Sequence, residues 1–326
     1  MKLKTLAHVA GAVFSAATLL ASPLAQAQEW PTQKPIKLIA VFPPGGSVDQ
    51  VARILAPALQ NQLKQNVIVE NIGGASGSIG TAALAKAAPD GYSLVMATFA
   101  HAVNPSLQAK LPYSNDHSFA PVALIGRGPN VLVVRAGSPF KSVADVIAAA
   151  KAQPGQLTYA SQGNGTSAHL AGEMFNNLAK VEMTHIPYRG AGPAMTDVLG
   201  GQVDMIFGTA AAVSPLLASG KMRALAVTSA APSPAFQGIP TIAQTIPDYA
   251  VESWYGLYAP ASTPAAVIDT LSRAAKQAAL NPDFIKKMEQ EGLTVMASSP
   301  LELDAYVKNE QTRWHKIISE NKIQLN

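Results

Sequence analysis

The sequence predicts an α/β protein of two lobes, and three observations carry that reading. Short apolar runs alternate with helix-length stretches, which implies βαβ units and a mostly parallel sheet. The alternation breaks near Pro121 and then resumes as a second set. At 326 residues, 48% hydrophobic and 13% charged, the chain is long enough for two such units and far too apolar for disorder.

In the first set, strands are expected at 36–41, 67–70 and 93–97, helices at 48–63 and 78–87, and a turn after the third strand. Apolar runs at 122–125 and 131–134 bracket the turn-forming stretch 126–130, which reads as a break where the chain crosses between lobes. The second set alternates helix 143–152, strand 157–160, helix 167–178, strand 183–187, helix 194–199, and strands 204–207 and 224–228. A long strand over 251–260 leads back out. Helices at 264–280 and 301–318 follow, with apolar positions Val267, Leu271, Ala274 and Ala278, then Leu303, Val307, Trp314 and Ile317, at three- and four-residue spacing.

The N-terminus has a basic head, Met1-Lys2-Leu3-Lys4, an Ala/Leu-rich stretch, and Ala25-Gln26-Ala27 as a small-residue cleavage site. It reads as a secretory signal peptide, residues 1–27, cut after Ala27; interrupted by His8, it falls short of the ~20 apolar residues a membrane anchor needs. Removing it takes away two lysines and lowers the formal charge from +4 to +2. So small a charge, without a basic cluster, argues against nucleic acid or an anionic membrane as partner. The absence of cysteine excludes disulfides and thiolate metal sites. Export to a bacterial periplasm is the expected address.

The segment Phe42-Pro43-Pro44-Gly45-Gly46-Ser47 follows the first strand, and Ser47 with Gln50 fits a capping box whose helix buries Val48, Val51, Leu55 and Leu59. Glycines at such a point expose main-chain N–H groups at the positive end of a helix, a setting for an anion, although the turn geometry alone can also require glycine. The pattern recurs at 73–78 and at 161–166. In an open parallel sheet these loops emerge where ligands bind, and two lobes presenting such edges make a cleft.

Nucleotide binding is disfavoured by spacing: Gly74, Gly77 and Gly80 do not give G-x-G-x-x-G, and no Gly-Lys-Ser/Thr follows a glycine loop. Neither a G-x-S-x-G elbow nor a thiol nucleophile occurs. His169 and Glu173, one helical turn apart, read as a polar pair or a packed histidine rather than two metal ligands. No catalytic residue, metal or cofactor is expected.

The runs "KPIKLIAVFPPGGSVDQVARILAPAL", "VIVENIGGASGSIGTAALAKAAPDGYSLVMAT", "HAVNPSL", "YASQGNGTSAHLAGEMF" and "HIPYRGAGPAMTDVLGGQVDMIF" resemble the Bug family across the whole mature chain. These are periplasmic solute-binding proteins of tripartite tricarboxylate transporters. The resemblance implies a type II periplasmic-binding-protein (Venus flytrap) fold, two α/β lobes around a ligand cleft: 28–124 with 255–326 as lobe 1 and 125–254 as lobe 2. It implies a monomer that closes on a small carboxylate and delivers it to membrane permease subunits, holding the ligand by loop amides, hydroxyls and water.

Carried onto this sequence, the first-lobe contacts are Phe42, Pro44, Gly45, Gly46 and Ser47, and the Thr98, Phe99, Ala100 and His101 loop. The second lobe supplies Ser161, Gly163, Asn164, Gly165 and Thr166, with Tyr188, Arg189, Gly190 and Asp204. Where the family commonly has threonine before His-Ala-x-Asn-Pro, this chain has Ala100 after Phe99. That departure suggests a ligand with an apolar or aromatic body, such as an aromatic dicarboxylate, beside citrate-like or amino-acid ligands. Trp254 is expected near the moving region, as a fluorescence reporter. The competing readings are a secreted hydrolase or lyase using the same cleft, or a ligand sensor for a signalling receptor.

Overall fold

The computed structural model describes residues 30–108 and 110–323. The signal peptide and its cleavage after Ala27 lie outside the described residues. Lys34–Asn326 is one unit and holds every element below; of Met1–Gln33, residues 30–33 are described and form turns and bends.

The first apolar run folds as β1 (Ile36–Ala40), paired in parallel with β2 (Val67–Asn71) on one side and β3 (Ser93–Thr98) on the other. Helix α1 (Ser47–Leu63) returns from β1 with Val48, Val51, Leu55 and Leu59 all buried, and α2 (Ser78–Ala85) returns from β2. The second set repeats this plan. Strand β5 (Thr158–Ser161) lies in parallel between β6 (Thr184–Pro187) and β7 (Met205–Thr209). Helices α4 (Val143–Ala152), α5 (Ser167–Ala179) and α6 (Ala191–Gly200) alternate with those strands.

Two long antiparallel strands join the halves. β4 (Phe119–Arg135) pairs with β9 (Glu252–Pro260) from Phe119 to Pro129, then with β7 and β8 (Met222–Val227) from Asn130 onward. β9 pairs with β3, so the order runs β2-β1-β3-β9-β4-β7-β5-β6. At the changeover Asn130, fully buried, donates Nδ2 to the Phe207 carbonyl (2.6 Å) and accepts from Ser253 Oγ (3.0 Å) at Oδ1. The chain closes with α8 (Ala265–Ala279), α9 (Pro282–Gln290), the short β10 (Thr294–Val295) on β4, and α10 (Pro300–Glu320), begun by a Ser299–Glu302 capping box.

Three local expectations are corrected. Residues 126–130 are not a break, because β4 runs straight through them; the glycines serve close approach instead. A Cβ on Gly128 would stand 2.8 Å from the Gly292 carbonyl oxygen, and one on Gly126 would stand 2.6 Å from Met288 Cε, so the segment around β10 can lie on the strand only over bare backbone. Residues 98–101 are not a loop: Thr98 ends β3 and caps α3 (Phe99–Leu107), which Pro105 does not prevent. Ser47 is not the cap of α1. Gly46 takes that place, and Ser47 Oγ bonds Thr209 Oγ1 across the cleft.

Candidate functional site

The strands of both halves end toward one another, and the first turns of five helices meet there. α1 brings Gly46, Ser47 and Val48; α3 brings Thr98, Phe99 and Ala100; α5 brings Thr166 and Ser167; α6 brings Gly190, Ala191, Gly192 and Pro193; and α7 (Ala210–Ala218) brings its cap, Thr209. Phe42, Pro43 and Pro44 from the β1–α1 loop, Gln162, Arg189, and Ser253 with Tyr255 from β9 complete the wall. The enclosed and solvent-open space together is about 630 Å³. Each helix start leaves main-chain N–H groups without intrahelical acceptors and contributes a positive partial charge.

The floor is a band of buried hydroxyls. Ser47 Oγ meets Thr209 Oγ1, and Ser167 Oγ meets Ser253 Oγ at 2.7 Å, so both halves and the crossing strand are linked beneath the cavity. The Tyr255 hydroxyl is buried without a hydrogen bond of normal geometry among the described residues. Burial raises its pKa, against the nearby Ser47 and Ser253 hydroxyls and with the help of Glu291, so it stays a neutral donor. Of the described residues lining the cavity, Arg189 alone is formally charged, and its side chain is exposed. Phe42, Phe99, Val48, Ala100, Ala191 and Pro193 give the rest an apolar character; Phe99 is backed edge-on by Trp314 at 5.0 Å.

Ten of the residues expected from sequence are brought together here: Phe42, Pro44, Gly46, Ser47, Thr98, Phe99, Ala100, Thr166, Arg189 and Gly190. The other eight point elsewhere. Gly45 donates its amide to Asp49 Oδ2 (3.0 Å). His101 lies in an aromatic core with Tyr113, Phe119 and Tyr258, its pKa pulled down to about 4 by burial. Ser161 turns inward to His185 Nε2 (2.7 Å) and Gly163 is bonded to Ser161 Oγ (3.1 Å). Asn164 accepts from Ser76 Oγ, and Gly165 packs near Asn104 and Leu107, so both serve the seam between the halves.

The Tyr188 hydroxyl donates to Asp197 Oδ2 (2.6 Å), and burial, with that carboxylate, pushes its pKa up to about 12. Asp204 sits at the opposite end of its strand from the cavity, accepting from Thr158 N and Oγ1 at 2.8 Å each. Trp254 faces away as well. On an extended strand successive side chains alternate, so Ser253 and Tyr255 line the cavity while Trp254 packs on Tyr306 at 5.9 Å. Sequence reading missed Pro43, Val48, Gln162, Ser167, Ala191, Gly192, Pro193, Thr209, Ser253 and Tyr255. For Ser167 a signal existed, since it follows Gly-Thr as Ser47 follows Gly-Gly. Among the described residues no three His, Asp or Glu converge as a metal centre, and no helix is long and apolar enough to cross a membrane.

Residues 51–323 match the family model for the tripartite tricarboxylate transporter family receptor, TctC. The chain belongs to that family. It is 35% identical to the protein BugT of Bordetella pertussis, over 94% of this chain and 95% of that one. Among solved structures it resembles Rpa4515 of R. palustris with adipate (32% identity, TM-score 0.88, 91% of this chain and 100% of that one). It also resembles MatC from Rhodopseudomonas palustris with bound malate (29% identity, TM-score 0.83, 88% and 99%). As a TctC receptor the chain has the two-lobed periplasmic-binding-protein fold, and its cavity lies where the two sets of strands end.

Proposed function

We propose that this receptor captures a small di- or tricarboxylate in the periplasm and offers it to membrane permease subunits of a tripartite transporter, without altering it. The observation that carries this reading is the convergence of five helix N-termini and a band of hydroxyls on one cavity in whose wall Arg189 is the one cation among the described residues. Such a set of donors suits carboxylate oxygens and provides no nucleophile, base and acid in reach of one another. The adipate and malate held by the two R. palustris relatives support a carboxylate here.

The mature chain begins after Ala27 and acts as a monomer, with lobes divided near 124–125 and 254–255. The change of β4 partners at Pro129 and Asn130, opposite Glu252, supports a hinge within a few residues of those points. Each lobe supplies part of the donor set, so closure and binding are one event.

The walls of Phe42, Phe99 and Ala100 favour a ligand with a flat apolar body between its carboxylates. Calorimetric titration with malate, adipate and benzene-1,4-dicarboxylate tests both levels. Saturable binding of at least one diacid is expected, with the aromatic diacid bound at least as well as malate. Binding of malate alone would discard the apolar-body reading, and no binding of any carboxylate in a wider panel would discard the function.

A further inference from the structure

The two halves present the same short device at the cavity, spelled Gly45-Gly46-Ser47-Val48-Asp49 in one and Gly165-Thr166-Ser167-Ala168-His169 in the other. Each follows the central strand of its parallel trio, β1 or β5, and opens the helix that follows. The first residue is a left-handed glycine, φ +80° at Gly45 and +73° at Gly165. The second caps the helix by backbone geometry and makes no side-chain cap bond. The third is a buried serine in the cavity wall, whose hydroxyl crosses to Thr209 or to Ser253.

The fifth residue turns back. Asp49 Oδ2 accepts from the Gly45 amide at 3.0 Å, and His169 Nδ1 accepts from the Gly165 amide at 3.1 Å. We infer that Asp49 and His169 are equivalent positioning residues for the ligand site, each fixing its glycine turn so that the following serine faces the cavity. The inference rests on the reading of the cavity as the ligand site.

Each clamp is itself held. Asp49 receives Arg53 Nε at 3.0 Å and Asn71 Nδ2 at 2.9 Å, and the same Asn71 amide reaches the Phe42 carbonyl at 3.0 Å, so the whole β1–α1 turn hangs on one carboxylate. His169 is stacked on His185 at 4.2 Å, and its Nε2 lies 3.9 Å from Glu173 Oε1, which accepts from the Tyr159 hydroxyl at 2.5 Å. Accepting at Nδ1 requires a neutral ring, and burial keeps it so, with a pKa pulled down to about 4. Asp49 stays ionised: burial pushes its pKa up, but the bonds from Arg53, Gly45 and Asn71 outweigh this and hold it below the usual value.

Amide hydrogen exchange of Gly45 and Gly165, read residue by residue without ligand, separates the clamp from the function. His169→Ala is expected to speed Gly165 exchange by about tenfold or more, as for loss of a buried acceptor, and to leave Gly45 unchanged. His169→Asn, which keeps an acceptor near the Nδ1 position, restores protection. Asp49→Ala does the converse at Gly45, and keeps the test decisive should the His169→Ala protein fail to fold.

With the diacid of the calorimetric panel that binds the parent, each alanine variant is expected to lose about tenfold or more in affinity, and His169→Asn to recover it. Lowering the pH through about 4 should release Gly165 in the parent but not in His169→Asn. Unchanged glycine exchange in both alanine variants would overturn the clamp. Released glycines with undiminished affinity would overturn its role in the site. If no carboxylate of the wider panel binds the parent, the exchange result still stands and the function reading fails instead.

Discussion

Arg189 stands two residues past the end of β6, directly before Gly190 (φ +111°), the N-cap of α6. Its guanidinium is exposed, so the contribution to binding is expected to be that of a partly screened charge and not of a buried ion pair. Arg189→Ala should weaken diacid binding by about three- to tenfold and leave the melting temperature close to the parent's, measured by calorimetry and thermal melts. A loss of several hundredfold would mean that the cation, and not the helix amides, dominates. Glycine at a strand-to-helix junction announces exposed backbone, and Gly46 followed from that logic; Gly45 followed from it too but gives its amide to Asp49, while Phe42, Pro44 and Ser47 were expected as contacts only from the resemblance. Thr209, Ser253 and Tyr255 followed from neither, since a hydroxyl at the end of a strand or on a crossing strand has no local pattern and is placed only by the pairing of β4, β7 and β9.

Single helices and strands show where local rules hold and where packing overrides them. Gly172 lies inside α5, where glycine ordinarily costs about 1 kcal/mol relative to alanine. Here a Cβ would fall 2.1 Å from Tyr159 Cε2, and that ring is stacked on His185, edged by Phe207 and tied to Glu173. Gly172→Ala should therefore destabilise the protein by about 1–3 kcal/mol in denaturant titration, the overpacking term exceeding the propensity gain. A stabilised variant would show that Tyr159 can yield.

The helices with clean apolar spacing, such as α1 and α10, were readable within a residue or two. α3 was not: a turn was expected after the third strand where this short helix, with Pro105 inside it, begins, and α7, with mostly small residues, carries no amphipathic stripe. The glycines of 126–130 misled for a physical reason: the same residue type that makes turns also lets two backbones touch inside a sheet.

At the scale of the whole molecule, the described residues include three buried histidines, His101, His169 and His185, with pKa values pulled down to about 4, 4 and 3 by burial, His169 adding to the effect on His185. In the unfolded chain they take up protons near pH 6.5, so the stability they confer is complete above that and is lost as pH falls toward 4 and below. Asp49, whose pKa is lowered, loses its contribution only below its ordinary value of 3.8, and Glu291, raised by burial, acts in the opposite sense. The melting temperature should fall steadily from pH 7 to pH 4, a loss on the order of a few kcal/mol; a flat profile would mean the histidines are solvated.

The fold class was legible at this scale from alternation alone, and the repeated trio β2-β1-β3 and β6-β5-β7 shows why: two copies of one plan share a pair of crossing strands. The most direct test of anion capture between the lobes is amide chemical-shift mapping during titration with a diacid that binds. The amides of Ser47 and Val48 in one half and of Ser167 and Ala191 in the other are expected to shift together, at one saturation point, with the diacid's own carbon signals unchanged afterwards. Shifts confined to one half, or a chemically altered diacid, would contradict the account.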